Sequence, residues 1–137
     1  MKPSLAPGAA LVKRIVVDEE RCISFMGRES MVYATPRMVS DVEYACRDFL
    51  LAHLDPGEDS VGAHVSIDHL AATPPGAEVT IAARISEVDR RKVVFQFSVK
   101  DPIEEVGRGI HTRFVVDTAK SRERIAAKRA KLASGIK

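Results

Sequence analysis

From Met38 the apolar residues fall into a helical rhythm: Met38, Val39, Val42, Ala45, Cys46, Phe49, Leu50 and Leu54, with His53, recur at steps of three and four. So wide a stripe must be covered on most of its circumference. The proline and glycine of DPGED close the helix, and no second apolar helix is present to cover it. Strands must do so instead. Val61, Ala63, Val65 and Ile67 alternate onto one face that ends at His69. Residues 79–88 alternate as well, 93–99 carry Val93, Phe95, Phe97 and Val99 in phase, and 106–116 carry Val106, Ile110 and Phe114 in phase. The connections containing DRRK and KDPIEE are short enough for antiparallel hairpins. Upstream, residues 10–18 and 21–26 read as an extended, β-branched opening segment and GRESMVYATPR as a loop. The order predicts an α+β fold in which a curved antiparallel sheet wraps one long hydrophobic helix.

At 137 residues the chain suits one domain burying about two-thirds of its unfolded surface, enough to fold without a disulfide or metal. Cys22 and Cys46 are far apart and show no CxxC spacing, which predicts packing roles in a reducing compartment. The N-terminus lacks a long apolar stretch, and no run approaches the ~20 apolar residues that cross a bilayer, so a cytoplasmic protein without a membrane partner is expected. The net charge of +2 is unevenly placed, because residues 117–137 hold seven Lys or Arg against Asp117 and Glu123. We therefore expect a folded body over residues 1–116 and a basic C-terminal helix or tail over 117–137. The tail's thin apolar stripe, Ile125 and Leu132, predicts a solvated appendage; a nucleic-acid partner would need a basic face on the folded body.

Several residues could carry chemistry, and each has an ordinary alternative. His69 ends a core-facing row just before two prolines, where structural histidines are common. Glu43 lies at the edge of the helical stripe, partly out of water, or else pairs with Arg47 one turn on. Thr35 precedes Pro36, which favours an extended residue before the helix, and plain capping is the usual task of such a threonine. Gly62 either admits a ligand to the backbone or marks a bulge. His64 and His69 are five residues apart and point to opposite faces of a regular strand, against a metal site. GRG at 107–109 lies inside a strand, so it is no dinucleotide fingerprint. Cys46, in phase with Val42 and Phe49, reads as core.

Taken together, ATPRMVSDVEYACRDFLLAHLDPGEDSVGAHVSIDHLAATPPG, residues 34–76, resembles the core of the fluoroacetyl-CoA thioesterase type of hotdog protein. The matching features are Thr35 before the helix, Glu43 in EYAC, LDPGE at 54–58, Gly62, and HLAATPPG at 69–76. A weaker match runs through GRGIHTRFVV, where Arg113 aligns with a family arginine that contacts the ligand. The resemblance implies a hotdog fold and an acyl-CoA thioesterase that hydrolyses a small acyl-CoA to acid and free CoA. It implies Thr35, Glu43 and His69 as the catalytic triad, with Gly62, His69 and Arg113 contacting substrate. It implies no metal and no cofactor beyond the coenzyme A of the substrate. Whether Glu43 attacks or activates water stays open. A hydratase or dehydratase, and a non-catalytic acyl-CoA or nucleic-acid binding module, are the alternatives on this fold. FMGRESMVYA departs from the aromatic lid of the fluoroacetyl-specific enzyme, so that specificity is not implied. The open edges of a five-stranded sheet, together with the resemblance, predict a homodimer with its sites at the subunit boundary.

Overall fold

The computed structural model describes residues 1–135. Strand β1 (Ala10–Val16) leads through two short 3₁₀ turns to helix α1 (Thr35–Leu51); β2 (Glu58–His69), β3 (Glu78–Asp89), β4 (Lys92–Lys100), β5 (Glu105–Asp117) and helix α2 (Thr118–Ala133) follow. The strands form one antiparallel sheet in the order β1-β3-β4-β5-β2. Short turns explain the β3-β4-β5 meander, and Arg90, at φ 56, takes the left-handed position that a two-residue hairpin turn requires. Met38, Val42, Ala45, Cys46 and Leu50 of α1 are buried in one core with Val79, Ile81, Ile85, Val93, Phe95 and Val99 of the central strands. One helix on a curved sheet is the arrangement its apolar stripe demanded.

Four local expectations change. Residues 21–26 form no strand: Asp18 accepts a hydrogen bond from the Arg21 backbone N–H and turns the chain, leaving a single bridge between Cys22 and Tyr33. Thr35, expected to be extended, is the first residue of α1. Pro36 fits beside it because first-turn N–H groups have no intrahelical acceptor to lose.

In β2, Gly62 pairs with Arg113 and His64 with Thr112, so Ala63 is an extra, bulged residue. The bulge breaks the expected row: Ser60 is buried and Gly62 faces α1 before it, whereas Val65, Ile67 and His69 are the partly covered residues after it. Val61 and Ala63 are exposed. In β5 a similar irregularity leaves Val106 unpaired between Gly107 and Glu105. The phase shifts by one residue, so Ile110 and Phe114 are 42% and 41% exposed while Gly107, His111, Arg113 and Val115 are buried.

Helix α2 is capped by Asp117, whose side chain accepts from the Lys120 backbone N–H, and buries no residue. Residues 136 and 137 of the basic tail lie outside the described residues. No described helix is long and apolar enough to cross a membrane.

Candidate active site

Helix α1 carries Glu43, half-buried, to the N-terminal half of β2. A methyl group on Gly62 would lie 3.6 Å from Glu43 Oε2, 3.6 Å from Arg113 Nη1 and 3.4 Å from His111 Cε1, so these groups surround one point. A cleft of about 320 Å³ opens there, lined by Glu43, Tyr44, Ser60, Gly62 and Arg113 among others. Arg47 does not pair with Glu43. It donates from Nε and Nη2 to the two carboxylate oxygens of Asp59, at 3.1 and 2.6 Å, a two-pronged geometry that Glu43, on the same helix, does not match.

Arg113 is 5% exposed. It donates from Nε to Ser60 Oγ at 2.8 Å, from Nη2 to the Ser60 carbonyl at 2.9 Å, and from Nη1 to His111 Nε2 at 3.2 Å. Burial pulls its pKa below the ordinary value, opposed by Cys46 and Glu43. Cys46 is buried and its thiol is pushed up to about 12 by that burial, which makes it an inert core residue.

His111 is the group that sequence reasoning missed. It is 1% exposed, and its Nδ1 lies 2.8 Å from the His64 carbonyl oxygen. A signal existed: two residues before Arg113 in a strand, it must share that residue's face. Taking the phase from Ile110 and Phe114 concealed it.

A second cluster lies at the other end of β2. Thr35 Oγ1 is 2.7 Å from His69 Nδ1. The helix cap is Ala34, without a side-chain hydrogen bond, so the Thr35 hydroxyl is not spent on capping. The turn after His69 is tied down by a bond from the Tyr33 N–H to the Thr73 carbonyl at 2.8 Å and by Thr73 Oγ1 donating to Asp101 at 3.0 Å. His69 Nε2 is buried and has no partner among the described residues. With the hydroxyl as donor, Nε2 keeps the ring proton; with Nδ1–H as donor, Nε2 is a free base.

The chain thus brings Glu43 together with Gly62 and Arg113, and Thr35 together with His69, but it keeps the two clusters apart. Eight helical residues separate Thr35 from Glu43, about 12 Å along the axis. Seven strand residues separate Gly62 from His69, roughly 20 Å. Both clusters border β2, which is an edge of the sheet.

Burial lowers the pKa of both His69 and His111 from the ordinary 6.5. The unfolded chain therefore takes up protons near pH 6.5 that the folded chain resists, so stability is fully present above that pH and is lost as pH falls below it. The urea midpoint should be level between pH 7.5 and 8.5 and clearly lower at pH 5.5. A midpoint unchanged down to pH 5.5 would contradict the burial of both rings.

Among the described residues no group of three His, Cys, Asp or Glu is placed to hold a metal ion. A family model described as fluoroacetyl-CoA-specific thioesterase matches residues 17–119. The fluoroacetyl-CoA thioesterase of Streptantibioticus cattleyicolor is 32% identical over 135 residues, covering 93% of this chain and 97% of that protein. Among solved structures, a point mutant of a fluoroacetyl-CoA-specific thioesterase in complex with fluoroacetate and CoA aligns at 33% identity with a TM-score of 0.76, over 84% of this chain and 98% of that one. A thioesterase superfamily member from Thermus thermophilus aligns at 26% identity with a TM-score of 0.88, over 98% and 99%.

Proposed function

The chain belongs to the fluoroacetyl-CoA-specific thioesterase family of hotdog-fold hydrolases, and on that premise we propose that it is a homodimer that hydrolyses a small acyl-CoA thioester to the acid and free coenzyme A. The observation that carries the reading is Glu43: a half-buried carboxylate free of Arg47, held on Gly62 and beside the buried Arg113 in an open cleft. The thioester carbonyl seats against the Gly62 backbone, with the Arg113 cation near the oxygen that gains charge. Glu43 either attacks the carbonyl carbon, giving a mixed anhydride that water then hydrolyses to release the acid and restore the carboxylate, or takes the proton of a water that attacks the same carbon; either way the C–S bond breaks and the sulfur leaves as the thiolate. His69, neutral at pH 7 and held by Thr35, moves the proton that ends on that sulfur. Coenzyme A is part of the substrate, and the chemistry calls for no further cofactor.

Glu43 and His69 meet when β2 pairs antiparallel with its own copy. Because the bulged Ala63 adds no step to the strand, a two-fold axis beside Ser66 sets Gly62 next to the partner's His69, closes the open edge and makes two equivalent sites. We assign the hydrolase body to residues 1–116 and treat α2, which buries no residue, as an appendage. The cytoplasm is the proposed location, where Cys22 and Cys46, both free, stay reduced.

Thiol release measured over a panel of short acyl-CoAs, fluoroacetyl-CoA and acetyl-CoA included, tests the activity. Turnover of at least one member well above buffer hydrolysis is expected, and no thiol from any of them would overturn the reading. Gly62→Ala tests the seat. Its methyl group would come no nearer than 3.4 Å to any neighbour, ordinary contact, so the melting temperature should hold. The methyl would occupy the space of the thioester, and kcat/KM should fall about 10²-fold. Unchanged kinetics would remove Gly62 from the site.

A further inference from the structure

We propose that His111 is a positioning residue that holds the Arg113 guanidinium toward Gly62 and Glu43; the proposal rests on the thioesterase reading above.

Arg113 has five N–H donors, and the three contacts that hold it are all to neutral acceptors: Ser60 Oγ, the Ser60 carbonyl and His111 Nε2. No carboxylate forms a salt bridge with it among the described residues. Its aim is therefore set by these hydrogen bonds. Ser60 takes Nε and Nη2, leaving Nη1 to His111, and Nη1 is also the nitrogen 3.6 Å from a methyl placed on Gly62. The arm that faces the cleft is the arm His111 holds.

The bonding order allows one tautomer. The His64 carbonyl can only accept, so Nδ1 carries the ring proton; a guanidinium can only donate, so Nε2 offers its lone pair. A doubly protonated ring would oppose two donors across 3.2 Å. The charged and titratable groups facing the ring are Arg113 on its own strand, Glu43 from α1 and His64 from β2; burial is the largest influence and favours the neutral form. His64 is also the first paired residue after the bulge at Ala63. One imidazole thus fixes both the bulged strand carrying Gly62 and the cation beside it.

The test has an arm that needs no turnover. Nitrogen NMR of the folded wild-type chain at pH 7.5 should show His111 protonated on Nδ1 and bare on Nε2; the other tautomer, or an imidazolium, would overturn the proposal. In kinetics, His111→Phe keeps a ring but loses the acceptor, and kcat should fall about 10²-fold with KM changed far less. His111→Gln, which restores an acceptor, should recover at least tenfold of that loss. In an Arg113→Lys background His111→Phe should cost less than twofold more, because the arm it held is gone. An equal loss in both backgrounds would show that His111 does not act through Arg113. If the wild type releases no thiol from any acyl-CoA, the thioesterase reading fails, while the NMR result still decides whether His111 holds Arg113.

Discussion

Glu43→Gln and His69→Ala should each reduce kcat/KM on the best acyl-CoA by about 10²–10⁴-fold while leaving the circular dichroism spectrum unchanged. Glutamine keeps the shape of Glu43 and removes its charge and basicity; among the described residues Glu43 makes no salt bridge whose loss would unfold the chain. Alanine at 69 removes the ring and leaves the Thr35 hydroxyl to find a new partner, in a position open enough for water. A folded variant that retains wild-type kcat/KM would take that residue out of the mechanism. Mixing the two inactive variants asks a sharper question. If each site joins Glu43 of one protomer to His69 of its partner, a mixed dimer holds one doubly defective site and one intact site. Random exchange should then restore about a quarter of wild-type activity. A site completed within one chain would restore none, and so would an active monomer, which sedimentation at working dilution would reveal.

Gly109→Ala should destabilise the fold by at least ~3 kcal/mol, a large part of the 5–15 kcal/mol typical of a domain. A methyl group there would lie 1.8 Å from the Ser66 carbonyl oxygen, 2.9 Å from its carbon and 3.0 Å from Phe97 Cζ. The first two are backbone of the neighbouring strand, so relief requires β2 to move off β5, and that pairing holds Gly62 opposite Arg113. Activity should be lost with stability. Gly107→Ala is the control: its methyl meets Met38 Sδ at 2.5 Å and Cε at 3.3 Å, the far end of a flexible thioether that can turn away. Urea unfolding of both variants checks the contrast. Equal losses would mean that the β2–β5 pairing yields as readily as a methionine side chain.

Much of this protein is determined by local sequence. A stripe that fills most of a helix, three alternating segments and two short turns specify one buried helix and an antiparallel meander, because side-chain periodicity and turn length act within a few residues. Thr35, Glu43, Gly62, His69 and Arg113 stand out in the sequence through the family resemblance that short spaced motifs carry. The tertiary structure decided what those residues touch. β2 pairs with β5, partners lying 38 to 59 positions apart, leaving the next strand in sequence to pair elsewhere. Arg47 takes Asp59, brought to it by that pairing, over Glu43 on its own helix. Thr35 meets His69 across 34 positions. Bulges at Ala63 and beside Val106 reverse the facing of everything beyond them, which is how His111 and Arg113 came inside while Ile110 and Phe114 came out. Strand alternation has a period of two, so one inserted residue inverts it, and the register that inserts the residue is set by the partner strand.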